Sequence, residues 1–142
     1  MKKAYLVSVA VVGTMIMYSC GGSAIQTETS NAPSMPAKAT GDAVYKKTCI
    51  TCHQANGEGL PNTYPPLAKS DFISDKEKTI AQVIKGYSGE LTVNGKKYNS
   101  AMPAQQLTDE EVAAVLTYVY GNFGNGGTTV TPDEVKAVRG KI

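Results

Sequence analysis

Five consecutive residues, Cys49-Ile50-Thr51-Cys52-His53, hold two of the chain's three cysteines and its only histidine. Three chemistries use a C-x-x-C pair. A structural zinc site needs four ligands, and a catalytic one needs three plus water. Beyond Cys20, only Cys49, Cys52 and His53 offer thiolate or imidazole ligands, and no second cluster stands ready to complete a zinc site. Thiol redox motifs sit beside a βαβ pattern, whereas the flanks here read as helical and glycine-rich, with no strand ahead of the motif. The third use, covalent haem attachment, has the signature C-x-x-C-H and is the one that employs the histidine. On a helical turn, residues i and i+3 share a face. Cys49 and Cys52 can then reach the two vinyl groups on one porphyrin edge, and His53 follows with its imidazole toward the iron.

A haem iron with a proximal histidine has one axial position left, and elimination narrows the choice. There is no second histidine. Met1, Met15 and Met17 fall in an N-terminal apolar segment, and Met35 falls in a polar stretch after it. Met102 remains, in YNSAMPAQQL, beside the stiffening Pro103. Met/His ligation raises the reduction potential relative to other ligand sets. A ligating imidazole also donates its other N–H to a fixed acceptor. The loop TYPPLAKS supplies a candidate, the carbonyl of Pro65, with Leu67 expected against the haem face.

Residues 1–19, MKKAYLVSVAVVGTMIMYS, combine two early lysines with an apolar run, the layout of a secretory signal. Ser8, Gly13 and Thr14 interrupt the run, and a permanent membrane span wants about 20 predominantly apolar residues. The segment ends at Ser19-Cys20-Gly21-Gly22 and resembles a bacterial lipoprotein signal, in which such a cysteine becomes the lipidated first residue. Cys20 is therefore the expected lipid attachment point, fixing the protein to a membrane surface. The stretch from Cys20 to residue 40 is small and polar with no aromatic, so it reads as a disordered tether. Removal of the leader takes Lys2 and Lys3, so basic residues fall from 14 to 12 against 12 acidic ones, and the formal +2 vanishes. With no basic stripe and no Arg–aromatic interleaving, nucleic acid is not an expected partner.

The texture changes at Gly41. The stretch 41–49 reads as a short helix, with Asp42 suiting its start, and 56–70 reads as a Gly/Pro/Asn loop. A second helix is expected from Ser74, with Ser74 and Glu77 as a capping box, an apolar face at Ile80, Val83 and Ile84, and Gly86 as its end. Asn94-Gly95 marks a hairpin turn. The stretch 107–121 is the clearest helix. Thr108 and Glu111 cap it, Val112, Val115, Leu116 and Val119 form its stripe, and Gly121 is its expected end. A last short helix is expected with Thr131 as cap, Pro132 in first position and Gly140 as stop. The domain, residues 41–142, is thus all-α: three to five short helices around one haem, with at most one small hairpin and a C-terminal extension from about residue 122. At this size and with no disulfide its own core is thin, and the haem supplies the missing apolar centre.

Over residues 41–121 the sequence resembles the small monohaem class I c-type cytochromes. The likeness rests on Gly41 and Tyr45, on CITCH, on Pro65-Pro66-Leu67, on Met102-Pro103 and on Tyr118. It implies that Gly41 and Tyr45 of the first helix cross Val115 and Tyr118 of the last main helix. NGKKYNSAMPA with LTDEEVAAVLTYVYGNFGN is similar to the subgroup found alone or fused to copper nitrite reductases and respiratory oxidases; no copper ligands accompany it here. The expected function is one-electron transfer by a carrier with a closed iron, not an enzyme. Electrons would pass through the haem edge near the attachment, and Lys69, Lys96 and Lys97 are candidates for steering an acidic redox partner. Two other readings stand beside it: a ligand sensor or peroxidase-like enzyme with an open sixth site, and a fixed cytochrome subunit of a respiratory complex.

Overall fold

A computed structural model describes residues 40–142. The expected leader, the lipidated Cys20 and the tether lie outside the described residues. Helix α1 (Gly41–Thr48) starts where expected, with Asp42 in its first turn, and its cap is Thr40, which accepts the N–H of Ala43 at 3.3 Å. Asp42 instead pairs with Lys46 along the helix, at 2.9 Å. A second, single-turn helix, α2 (Ile50–His53), follows with only Cys49 between them. After the proline loop and a 3-10 turn over Phe72–Ser74 comes α3 (Lys76–Lys85). Its cap is Asp75, whose carboxylate accepts the N–H of Lys78 at 3.0 Å. The expected cap, Ser74, turns its hydroxyl back to the carbonyl of Asp71 at 2.7 Å. The charged cap one residue later meets the positive helix end and leaves the serine to the preceding turn.

Strands β1 (Leu91–Val93) and β2 (Lys96–Tyr98) form an antiparallel hairpin in which Leu91 faces Tyr98 and Val93 faces Lys96. Asn94 and Gly95 make the turn with φ of 50° and 75°, the left-handed pair that a two-residue hairpin demands. Helix α4 (Asp109–Asn122) has the expected capping box of Thr108 and Glu111. It runs past Gly121, which keeps helical backbone, and stops at Phe123, before Gly124 takes φ of 73°. Helix α5 (Pro132–Arg139) begins with a Thr131–Glu134 capping box and ends at Gly140.

Helix α4 is the hub of the domain, packing against α1, α3 and α5. A side chain at Gly41 would collide with the Ala114 carbonyl and lie 2.6 Å from Tyr118 Cβ, so the two helices cross at backbone distance. The partners of Gly41 are Ala114 and Tyr118; the expected Val115 lines the central pocket. Beside the crossing, the rings of Tyr45, Tyr118 and Phe123 form a mutual cluster with centroids 5.1–5.6 Å apart.

The C-terminal extension packs onto the core. Val130, Val135 and Val138 are buried in the same cluster as α4, with Val135 at 0% exposure. Arg139 bonds Asp109 at 2.7 Å and the Leu107 carbonyl at 3.0 Å, Lys141 reaches Glu77 at 2.8 Å, and Lys76 pairs with Glu134. Surface ion pairs contribute about 0–1 kcal/mol each. A fully buried valine contributes about 1.5–3 kcal/mol, so apolar burial is what holds α5 in place. Among the described residues, no helix is long and apolar enough to cross a membrane.

Candidate functional site

Between α1–α2, the proline loop, α3, the hairpin and α4 lies a pocket with largely apolar walls. Cys49, Cys52, His53, Pro65, Leu67 and Met102 all line it.

The imidazole of His53 is fixed by its neighbours. The chain turns sharply after α2, with Gln54 at φ of 62°. It then folds back so that Nδ1 of His53 donates to the Pro65 carbonyl at 3.0 Å. That bond assigns the proton to Nδ1 and leaves the Nε2 lone pair free. Burial pushes the histidine's pKa down, and the Pro65 bond opposes this in part. The neutral ring is the form a metal takes. Gly57 and Gly59 make the return loop possible at φ of 69° and 68°. A side chain on Gly57 would lie 2.8 Å from the Phe123 ring, and one on Gly59 would lie 2.6 Å from the Pro65 oxygen. Leu67 and Ala68 donate to the Gly57 carbonyl at 2.7 and 2.8 Å, closing the loop.

Cys49 and Cys52 are partly buried and are not joined to each other by a disulfide. Burial raises the pKa of Cys49 most, with Cys52 adding to it and the Thr48 hydroxyl at 3.3 Å pulling the other way. Among the described residues, no three His, Cys, Asp or Glu side chains are grouped to hold a metal ion.

Met102 sits on a stapled loop. Its N–H and carbonyl exchange bonds with Tyr87, each 2.8 Å, and Gln105 donates to the Val83 carbonyl at 3.0 Å. Gly86 lets the two segments approach, since a side chain there would lie 2.6 Å from the Ala104 nitrogen. The sulfur faces the Gln82 amide, with Nε2 3.9 Å from Sδ. The three lysines proposed for steering are not equivalent. Lys97 is paired with Glu90 at 2.9 Å, while Asn94 ties the hairpin turn to the carbonyl of Lys69 at 3.1 Å.

Sequence reasoning missed several residues that shape the site: Gln82, Asn94, Asn125 and Ser70. Asn125 donates to the carbonyls of Leu67 and Val119 and accepts the N–H of Ser70. The Ser70 hydroxyl is the buried side-chain polar atom without a partner among the described residues, a state that costs about 1–3 kcal/mol when nothing meets the group. Only the glycines of NGEG hinted at such tight loop geometry. The donor set fits a haem: two thiols, a neutral imidazole with a free Nε2, a thioether, and the apolar walls of one pocket.

Residues 38–122 match the cytochrome c family. Cytochrome c-552 of Thermus thermophilus is 37% identical over 116 residues, which span 74% of this chain and 78% of that protein. The fructose dehydrogenase cytochrome subunit of Gluconobacter japonicus is 33% identical over 109 residues, 70% of this chain but 22% of that longer protein. The gluconate 2-dehydrogenase cytochrome c subunit of Pantoea cypripedii is 32% identical over 105 residues, 24% of its length. With the C-x-x-C-H segment set in an apolar pocket and the match spanning α1 to α4, the chain belongs to the cytochrome c family, carries a covalently attached haem c, and functions in electron transfer.

Proposed function

We propose that the chain is an exported, membrane-tethered one-electron carrier whose iron is closed on both sides by protein. Cys49 and Cys52 hold the haem through thioether bonds, His53 and Met102 are the axial ligands, and Pro65 orients His53. The observation that supports this reading is that His53 and Met102 line one pocket, each on a separately braced loop. The haem supplies the redox couple. The protein sets its potential through the ligands and burial, and holds both loops so that little rearranges on transfer. A closed iron leaves no coordination site for a substrate. The signal-like residues 1–19 and Cys20 support export and a lipid anchor on the periplasmic side, with the stretch to residue 40 as tether.

Absorption spectra of the oxidised and reduced protein test the axial ligands. The methionine-to-iron charge-transfer band is expected in the oxidised form, and carbon monoxide should leave the reduced spectrum unchanged. Loss of the band with ready carbon monoxide binding would favour the open-site sensor or peroxidase-like reading. Cys20→Ser should move the protein from membranes to the soluble fraction, and unchanged partition would remove the anchor. The dehydrogenase cytochrome subunits among the relatives favour a second arrangement, permanent residence in a complex. Stoichiometric copurification of a partner from solubilised membranes would support it over a free carrier.

A further inference from the structure

Gln54, the residue directly after His53, holds φ of 62° and ψ of 167°. That conformation is essentially reserved for glycine, and a residue with a side chain persists in it only where its surroundings over-determine it. Here the surroundings act on the Gln54 carbonyl. Gly57 donates its N–H to that oxygen at 3.2 Å, from within the same loop. The hydroxyl of Tyr45 donates to it at 2.7 Å, from helix α1. The adjoining bonds lead to the histidine and its acceptor. Gly59 donates to the His53 carbonyl at 3.0 Å, and Leu67 and Ala68, just beyond Pro65, close the loop on the Gly57 carbonyl.

Tyr45 is 1% exposed, and its ring meets both Tyr118 and Phe123, with centroids 5.5 and 5.1 Å away. Phe123 in turn lies against Gly57 of the loop. The tyrosine hydroxyl therefore has little freedom to move. A buried tyrosine hydroxyl needs a partner, but the partner here is the carbonyl at the strained step between His53 and the chain returning to Pro65. We propose that Tyr45 is a positioning residue for His53: its hydroxyl holds the Gln54 turn, and that turn sets how closely His53 Nδ1 meets the Pro65 carbonyl. The proposal rests on His53 being an axial ligand and stands whether or not Met102 is the other.

Tyr45→Phe removes the hydroxyl, keeps the ring in its cluster and leaves the Gln54 carbonyl its Gly57 donor, so the variant is expected to fold and carry haem. Proton NMR and redox titration of the haem-loaded protein read the effect. Hydrogen exchange at His53 Nδ1 should quicken by roughly two- to tenfold, the worth of one hydrogen bond. The midpoint potential should rise, because a looser Pro65 bond leaves a less donating imidazole. Tyr118→Phe, which leaves the Gln54 carbonyl bonded, should change neither. Gln54→Gly takes the same backbone angles without strain, so it should unfold in urea no earlier than wild type, even though glycine loses more chain entropy on folding. A Tyr45→Phe protein that loses urea stability alone, with wild-type exchange and potential, overturns the proposal and makes Tyr45 a packing residue. If too little Tyr45→Phe protein accumulates, Gln54→Gly decides, and a clear loss of stability there shows an unstrained turn and overturns the hold. The ring protons of an iron-bound His53 are shifted far upfield in the ferrous protein by the porphyrin ring current. Their absence from wild type would remove His53 as a ligand, and the proposal with it; their presence beside an unmoved Tyr45→Phe would remove the role of Tyr45 alone.

Discussion

His53 Nδ1 lies 3.0 Å from the carbonyl oxygen of Pro65, twelve residues along the chain. A proline carbonyl makes a rigid acceptor because its residue has a fixed φ and no N–H of its own. The bond sets the tautomer, holds the ring plane and increases the electron donation of the opposite nitrogen.

Gly59 guards that acceptor. Its φ of 68° is in the left-handed region, and a side chain there would press on the Pro65 oxygen. Gly59→Ala should therefore lose at least about 1–2 kcal/mol from backbone strain alone. If His53 is an axial ligand, the substitution should also raise the reduction potential, since a weakened bond leaves a less donating imidazole for ferric iron. Denaturant unfolding and redox titration check the two effects. A stability loss with an unmoved potential would mean that the Pro65 bond does not tune the haem.

The α1–α4 crossing makes a purely structural prediction. Gly41→Ala inserts a methyl group into the Ala114 carbonyl and to within 2.6 Å of Tyr118 Cβ. Both obstacles belong to a helix rather than to a flexible side-chain tip, so α1 must move away. The expected cost is about 1–3 kcal/mol, seen in the urea midpoint. The methionine-to-iron band should be retained, because the Met102 loop is braced by α3 instead. A variant as stable as wild type would contradict the close crossing.

The helices were legible because periodicity and caps are local properties. Thr108 with Glu111, Thr131 with Pro132, and Asn94-Gly95 are each read within a few residues and appear as expected. The shift from Ser74 to Asp75 shows the limit of that approach: two adjacent residues can both cap, and the tertiary turn at Asp71 claimed the serine. The residues now proposed as haem ligands were legible from composition, since a lone histidine beside a cysteine pair leaves few alternatives. The surrounding support was not. Asn125 joins Ser70 and Leu67 across 55 and 58 residues, and Asn94 reaches Asp71 across 23. Single polar residues in loops carry no period that announces such partners. The valines of α5 were visible, yet their burial against α4 depends on a loop path that glycines alone do not specify.

Glu134 offers a pH test. The Lys76 ammonium beside it, its largest influence, and the Thr131 backbone hold its carboxyl below the ordinary 4.5. A carboxylate depressed in the folded state stabilises the fold above its unfolded pKa, and that contribution is lost as pH falls through the lower folded value. Glu134→Gln should therefore be less stable than wild type at neutral pH. The gap should close as pH drops below about 4.5 and narrow in high salt, because both partners are solvent-accessible. Thermal melts at several pH values check this, and a gap that persists unchanged in acid would assign the loss to α5 capping geometry instead of charge.

The last test concerns the sulfur of Met102, which has the Gln82 Nε2 as neighbour at 3.9 Å. An amide N–H directed at a thioether draws electron density from it and places the positive end of a dipole near the iron. Both effects disfavour the ferric state if Met102 is the axial ligand. Gln82→Leu keeps comparable bulk and removes the donor, so the potential should fall by an amount equivalent to roughly 1 kcal/mol, the usual net worth of one hydrogen bond. The charge-transfer band should shift rather than vanish, and the urea midpoint should change little, since Gln82 is only partly buried. A band that disappears would show that the glutamine holds the ligand in place. An unchanged band and potential would show that the amide is a bystander and that the Tyr87 staple alone positions the methionine.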